Sequence, residues 1–172
     1  DLEGVAAALM GQRAENEFVG CQGGIMDQLV SALGLEGYAM LLDCRSLTFQ
    51  DAPIPDGMSI LVVNSNVQRG LVDSEYNARR QQCEEVARIL NVPSLRDVSL
   101  GQLNGAKRNL SQEQYRRARH VVTENARTIA AMTAMQTNDI KTLGSLMGQS
   151  HDMTLKQLLL SRPPPSCRQR VV

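Results

Sequence analysis

The sequence predicts an α+β fold with antiparallel-type strands in its first half and helices in its second. Two patterns carry this expectation. Strand-like apolar runs are confined to residues 38–64, and an apolar repeat of three and four residues dominates after about residue 73. Size agrees: 172 residues, 42% of them hydrophobic, are enough for a core and too apolar for a disordered chain.

From the start, Leu2 to about Asn16 has the apolar spacing of a helix, weakened by Gly4 and Gly11. Phe18 to Gly24 follows as a loop with three glycines. A short helix then begins at Ile25, with Met26, Leu29, Val30 and Leu33 on one face and Gly34 as its stop. Tyr38–Asp43 and Leu47–Gln50 read as two strands around a Cys44-Arg45-Ser46 turn. Met58–Asn64 is the strongest strand pattern, launched by Asp56-Gly57, and its unbroken apolar run predicts cover on both faces. Tyr76, Cys83, Val86, Ala87 and Leu90 then share a helix face that Asp73 or Ser74 could cap. Pro93 to about Leu110 reads as irregular. Ser111 with Gln114 is a capping-box signature, followed by a helix with Tyr115, Ala118, Val122, Ala126 and Ile129 on its apolar face. A last helix starts at Asp139 and runs through Leu143, Leu146 and Met147. The tail, with Pro163, Pro164 and Pro165, cannot be helical there.

The balanced charge hides an asymmetry. Eighteen basic side chains match eighteen acidic ones, but four of the basic ones and none of the acidic lie beyond Asp152. Residues 1–152 thus form an acidic body of net charge −4 with a basic tail. An acidic body with three tyrosines, two phenylalanines and no tryptophan suits no nucleic-acid surface. No stretch is apolar for long enough to span a membrane, and no signal peptide opens the chain. The four cysteines have no metal-ligand spacing, so a cytoplasmic protein with reduced thiols is expected. The chain opens on Asp1, already in a helical pattern, and reads as a piece of something longer.

Three stretches could carry chemistry. Gly23-Gly24-Ile25-Met26-Asp27 is a glycine pair feeding a helix with an acid in its first turn. Glycine lets a ligand approach the backbone, and a carboxylate there can take a proton from a hydroxyl. On spacing alone such an acid is more often the ordinary complement of a helix dipole. In Ala14-Glu15-Asn16-Glu17, either carboxylate could join phosphate oxygens around Mg²⁺, or belong to a solvated turn. Asn64 to Gly70 and then Ser74 to Arg80 form polar loop and helix-start segments suited to ligand contacts, although a tyrosine placed like Tyr76 is more often a core aromatic.

At these residues the chain closely resembles the galactokinases of the GHMP small-molecule kinase superfamily. The resemblance rests on AENEFVGCQGGIMDQLVSALG, LLDCRSL, VVNSNVQRGLVDSEYNARRQQCEEVARIL, DVSLGQLN and ARHVVTENARTIAAM, and covers about residues 2–152. It implies transfer of the γ-phosphoryl group of ATP to the C1 hydroxyl of α-D-galactose, with Mg²⁺, and a monomer when complete. Position by position, it implies that Asp27 is the catalytic base and that Glu15 is associated with the metal. Gly24 and Tyr76 would contact the sugar.

The family's G-R-x-N-x-I-G-E-H-x-D-Y and G-L-S-S-S segments do not occur in these 172 residues, so the nucleotide-binding residues stay unassigned. After Ser150-His151 the family continues towards G-G-G-F-G-G, whereas this chain enters LKQLLLSRPPPSCRQRVV. The implied division is a remainder of an N-terminal lobe over 1–73, a helical start of a C-terminal lobe over 74–152, and an aberrant, disordered or out-of-frame tail over 153–172. Such a fragment is expected to be inactive and poorly folded alone. The competing readings are a non-catalytic galactose-sensing or interaction protein, and a gene remnant without function.

Overall fold

The computed structural model describes residues 2–20, 23–64, 66 and 74–161, with backbone alone for residues 2, 74–77 and 155–161. It is mixed α and β, with one two-stranded antiparallel sheet among the described residues. Helix α1 (Leu2–Arg13) runs directly into a π-helical segment, Ala14–Val19. The first helix is therefore longer than its apolar pattern suggests, and Phe18 and Val19 belong to it rather than to the loop. Gly20, at φ +80°, closes it in the left-handed region and donates its N–H to the Glu15 carbonyl.

Helix α2 (Met26–Leu33) buries Leu29 completely and half-buries Leu33, while Met26 and Val30 stay exposed. Strands β1 (Tyr38–Leu42) and β2 (Phe49–Pro53) pair from Tyr38↔Pro53 to Leu42↔Phe49. Ala8, Ile25 and Leu29 form a small buried cluster, against which Leu42 and Leu47 pack.

The segment 58–64 departs from expectation. It forms no strand among the described residues, and Ile60, Leu61, Val62 and Val63 are 76%, 86%, 87% and 77% exposed. An apolar run becomes a strand only when a neighbour supplies the other half of its hydrogen bonds.

The second half is helical, as expected. Helix α3 (Ser74–Ile89) buries Val86 and Ala87. Of its two candidate caps, Ser74 is the first residue of the helix itself, and Asp73 lies outside the described residues. The stretch expected to be irregular is instead ordered into short helices: a 3₁₀ turn at Leu95–Asp97, α4 (Leu100–Gly105) and a 3₁₀ turn at Lys107–Asn109. Ser99 and Gln102 form a capping box there, the same signal as Ser111 and Gln114. Helix α5 (Gln112–Gln136) buries Ala118, Met132 and Ala134, but Ala126 and Ile129 are exposed. Helix α6 (Ile140–Ser161) buries Leu143 and continues unbroken past Asp152 to Ser161. Val86, Leu95, Leu103 and Ala118 lie in the larger core. Among the described residues, no helix is long and apolar enough to cross a membrane.

Candidate functional site

The glycines that weaken α1 allow its approach to α2. Gly4 and Gly11 both face it, with buried Ala8 between them in sequence. A Cβ on Gly4 would lie 2.4 Å from Leu33 Cδ2, and one on Gly11 3.3 Å from Gln28 Cγ. With no side chain at position 11, the stem of Gln28 has room beside α1.

From there the Gln28 amide reaches the π-helical turn, where its Nε2 donates to Glu15 Oε2 at 2.8 Å. A second glutamine works in the other direction: Gln12 Nε2 donates to the Gly23 carbonyl at 3.3 Å, tying α1 to the backbone just before α2. The two acids that the sequence leaves equivalent are thereby distinguished. Glu17 is paired with Arg13 across 2.8 Å, whereas Glu15 faces a neutral amide.

Asp27 sits in the first turn of α2, exposed, with its carbonyl accepting from Ser31 Oγ at 2.7 Å. Gly24 is exposed and not in the left-handed region, and a Cβ there would meet nothing within 4 Å. Neither backbone strain nor packing against the described residues therefore demands glycine at this position. Tyr76 lies in the first turn of α3, and its side chain is outside the described residues, as are Ser65 and residues 67–73. The chain thus brings Glu15, Gly24 and Asp27 to one end of the α1–α2 pair, joined through Gln12 and Gln28.

Among the described residues, no group of three His, Cys, Asp or Glu side chains could hold a metal by itself. The chemistry of the donor set still fits Mg²⁺, which commonly takes one or two carboxylates and completes its shell with phosphate oxygens and water. Glu15 is exposed and offers its second oxygen.

Other polar features lie elsewhere. A groove of about 1200 Å³ runs between the β1–β2 hairpin, α3 and α5, and none of Glu15, Gly24 and Asp27 lines it. Burial pushes the thiol of Cys83, in its wall, above the ordinary cysteine range, which leaves it protonated and inert. Helices α5 and α6 bring His120 and Ser150 to one carboxylate, Glu124, a juxtaposition the sequence does not reveal. Ser150 Oγ donates to Glu124 Oε2 at 2.8 Å, and Arg127 binds the other oxygen. His120 Nδ1 stands 3.8 Å from Glu124, and burial lowers its pKa, so the imidazole is neutral. The serine donates to the acid rather than to the imidazole, which is not the geometry of an activated nucleophile.

No protein-family model matches the chain. Its structure is similar to that of the Lactococcus lactis galactokinase solved in complex with galactose, at a TM-score of 0.76 and 27% sequence identity. The likeness covers 87% of this chain and 40% of that one, so the chain spans less than half the length of the protein it matches. Over the matched region the fold is galactokinase-like.

Proposed function

We propose that this chain is part of a galactokinase, which transfers the γ-phosphoryl group of MgATP to the C1 hydroxyl of galactose. The observation that carries the reading is the bond between Glu15 and Gln28, which ties the acid on α1's extension to the residue beside Asp27. The galactokinase-like fold supports it from a different direction.

In this reading the Asp27 carboxylate orients the C1 hydroxyl and accepts its proton as the oxygen attacks the γ-phosphorus. The new O–P bond forms as the bond to the β-phosphate oxygen breaks, and ADP leaves. Gly24, where no side chain blocks the backbone, lets the sugar approach the N–H groups before α2. Tyr76 contacts the sugar from the start of α3. Glu15 would hold Mg²⁺ together with phosphate oxygens, and the ion would offset the charge developing on the transferred group. Holding the reactants and that charge in place supplies most of the acceleration in phosphoryl transfer.

The test is a chimera in which residues 2–152 replace the matching part of the Lactococcus lactis galactokinase. Galactose-dependent ADP release is expected, falling roughly 10²–10⁴-fold on Asp27→Asn, the span of a lost general base. A folded chimera whose activity ignores Asp27→Asn overturns the assignment. The 172-residue polypeptide by itself is expected to release no ADP, because no phosphate-cradling G-L-S-S-S segment occurs in its sequence.

A further inference from the structure

We propose that Gln28 is a positioning residue, which holds the Glu15 carboxylate towards the metal in the site read above; the proposal rests on Glu15 being the metal-associated acid. Three features of the α1–α2 contact carry it. The bond from Gln28 Nε2 to Glu15 Oε2, at 2.8 Å, is the contact among the described residues that holds the Glu15 side chain. Because a carboxylate can only accept, the amide must turn its NH₂ towards it. That orientation leaves Gln28 Oε1 buried with no partner among the described residues. Burying an acceptor without a partner costs stability, so packing alone would favour an apolar residue here. The polar choice is accounted for by what the other end of the amide does.

Gly11 is the second part of the device. A Cβ there would press on Gln28 Cγ at 3.3 Å, so glycine leaves the lane in which the stem lies. The third is the shape of the turn carrying Glu15. Its carbonyl is fixed by the Gly20 N–H and its carboxylate by Gln28, so main chain and side chain are restrained from opposite ends. Gln28 acts on one Glu15 oxygen and leaves the other for the ion, as partners of metal ligands commonly do.

The test follows Mn²⁺ added with ATP to the isotope-labelled chimera described above, which supplies the phosphate-binding part of the site, reading paramagnetic broadening of the Gln28 side-chain amide and the Asp27 backbone amide. Both signals are expected to broaden in the natural sequence and to resist in Glu15→Gln. Gln28→Met keeps the volume and removes the donor. It should need about tenfold more Mn²⁺ for the same broadening at Asp27, the low end of what such partners contribute, with its thermal midpoint unchanged or raised. Gly11→Ala keeps both polar groups but crowds the stem, and should also weaken the Mn²⁺ response.

If Glu15→Gln resists while Gln28→Met responds like the natural sequence, the positioning role is overturned and the metal reading stands. If Glu15→Gln responds normally, or the natural sequence shows no broadening, the metal reading fails and this proposal with it. Should Gln28→Met lose its fold, Gly11→Ala decides: a normal Mn²⁺ response overturns the proposal, and a weakened one supports it.

Discussion

Gly34 shows how one residue can stop a helix for a reason its type does not reveal. A glycine there suggests a left-handed cap, yet its backbone is extended, at φ −63° and ψ 141°. What requires glycine is approach. A Cβ would lie 2.5 Å from the Val30 carbonyl oxygen, the same oxygen that accepts the Gly34 N–H at 2.9 Å. Gly34→Ala is therefore expected to destabilise the chain by about 1–3 kcal/mol, the usual cost of forced overpacking, read as a lower urea midpoint. An unchanged midpoint would mean that the turn shifts without cost. The candidate site was legible at this scale to a similar degree. Glu15, Gly24 and Asp27 are visible as residue types in plausible places. That Gln28 and Gln12 join them is not visible, because a glutamine's partner depends on which helix lies beside it.

At the scale of elements, the turn of the β1–β2 hairpin is clamped to the 3₁₀ turn after α3 by two crossed ion pairs. Arg45 binds Asp97 through both oxygens at 3.0 and 2.7 Å, and Arg96 binds Asp43 through both at 2.6 Å. Asp43 is held far below the ordinary carboxylate range, first by the Arg96 hydrogen bonds and then by the Arg45 and Ser46 N–H groups. Asp97 is lowered chiefly by Arg45. A carboxylate with a depressed folded pKa stabilises fully above its unfolded value, and loses that contribution as pH falls towards the folded one. The gap in urea midpoint between the natural chain and Asp43→Asn should thus be constant from pH 7 to 5. It should narrow below about pH 3.9, the free aspartate value, and it should shrink in high salt. A gap independent of pH would show that Asp43 acts through packing rather than charge. Long helices were legible here because their caps are local: Ser111 and Gln114 announce α5 in four residues. The short helices of 95–109 were lost to view, being too brief for a periodic signal, although Ser99-x-x-Gln102 marks α4 in the same way.

For the molecule as a whole, the run at 60–63 is an exposed apolar surface without a strand partner among the described residues. Apolar, uncharged and β-branched at three of its four residues, it matches the pattern that self-associates edge to edge. Light scattering from the purified chain should rise with concentration, and Val62→Asp should suppress it while changing stability by less than about 0.5 kcal/mol, as an exposed position allows. Equal scattering from the variant would place the sticky surface elsewhere, with the exposed Met10 and Phe18 as the next candidates.

By itself the sequence determined what depends on neighbours in the chain: the long helices and the cap at Ser111, the hairpin around Cys44, the α+β order, and the residues on which the resemblance rests. Only the tertiary structure decided which of those residues meet. It separated Glu15 from Glu17, explained Gly4 and Gly11 as room for α2, and left 58–64 without a strand partner among the described residues. The physical reason is range. A helix satisfies its own backbone within four residues, so its signal is local. A strand, a carboxylate or a close-packed glycine takes its meaning from atoms distant in sequence, and those are found only once the chain has folded.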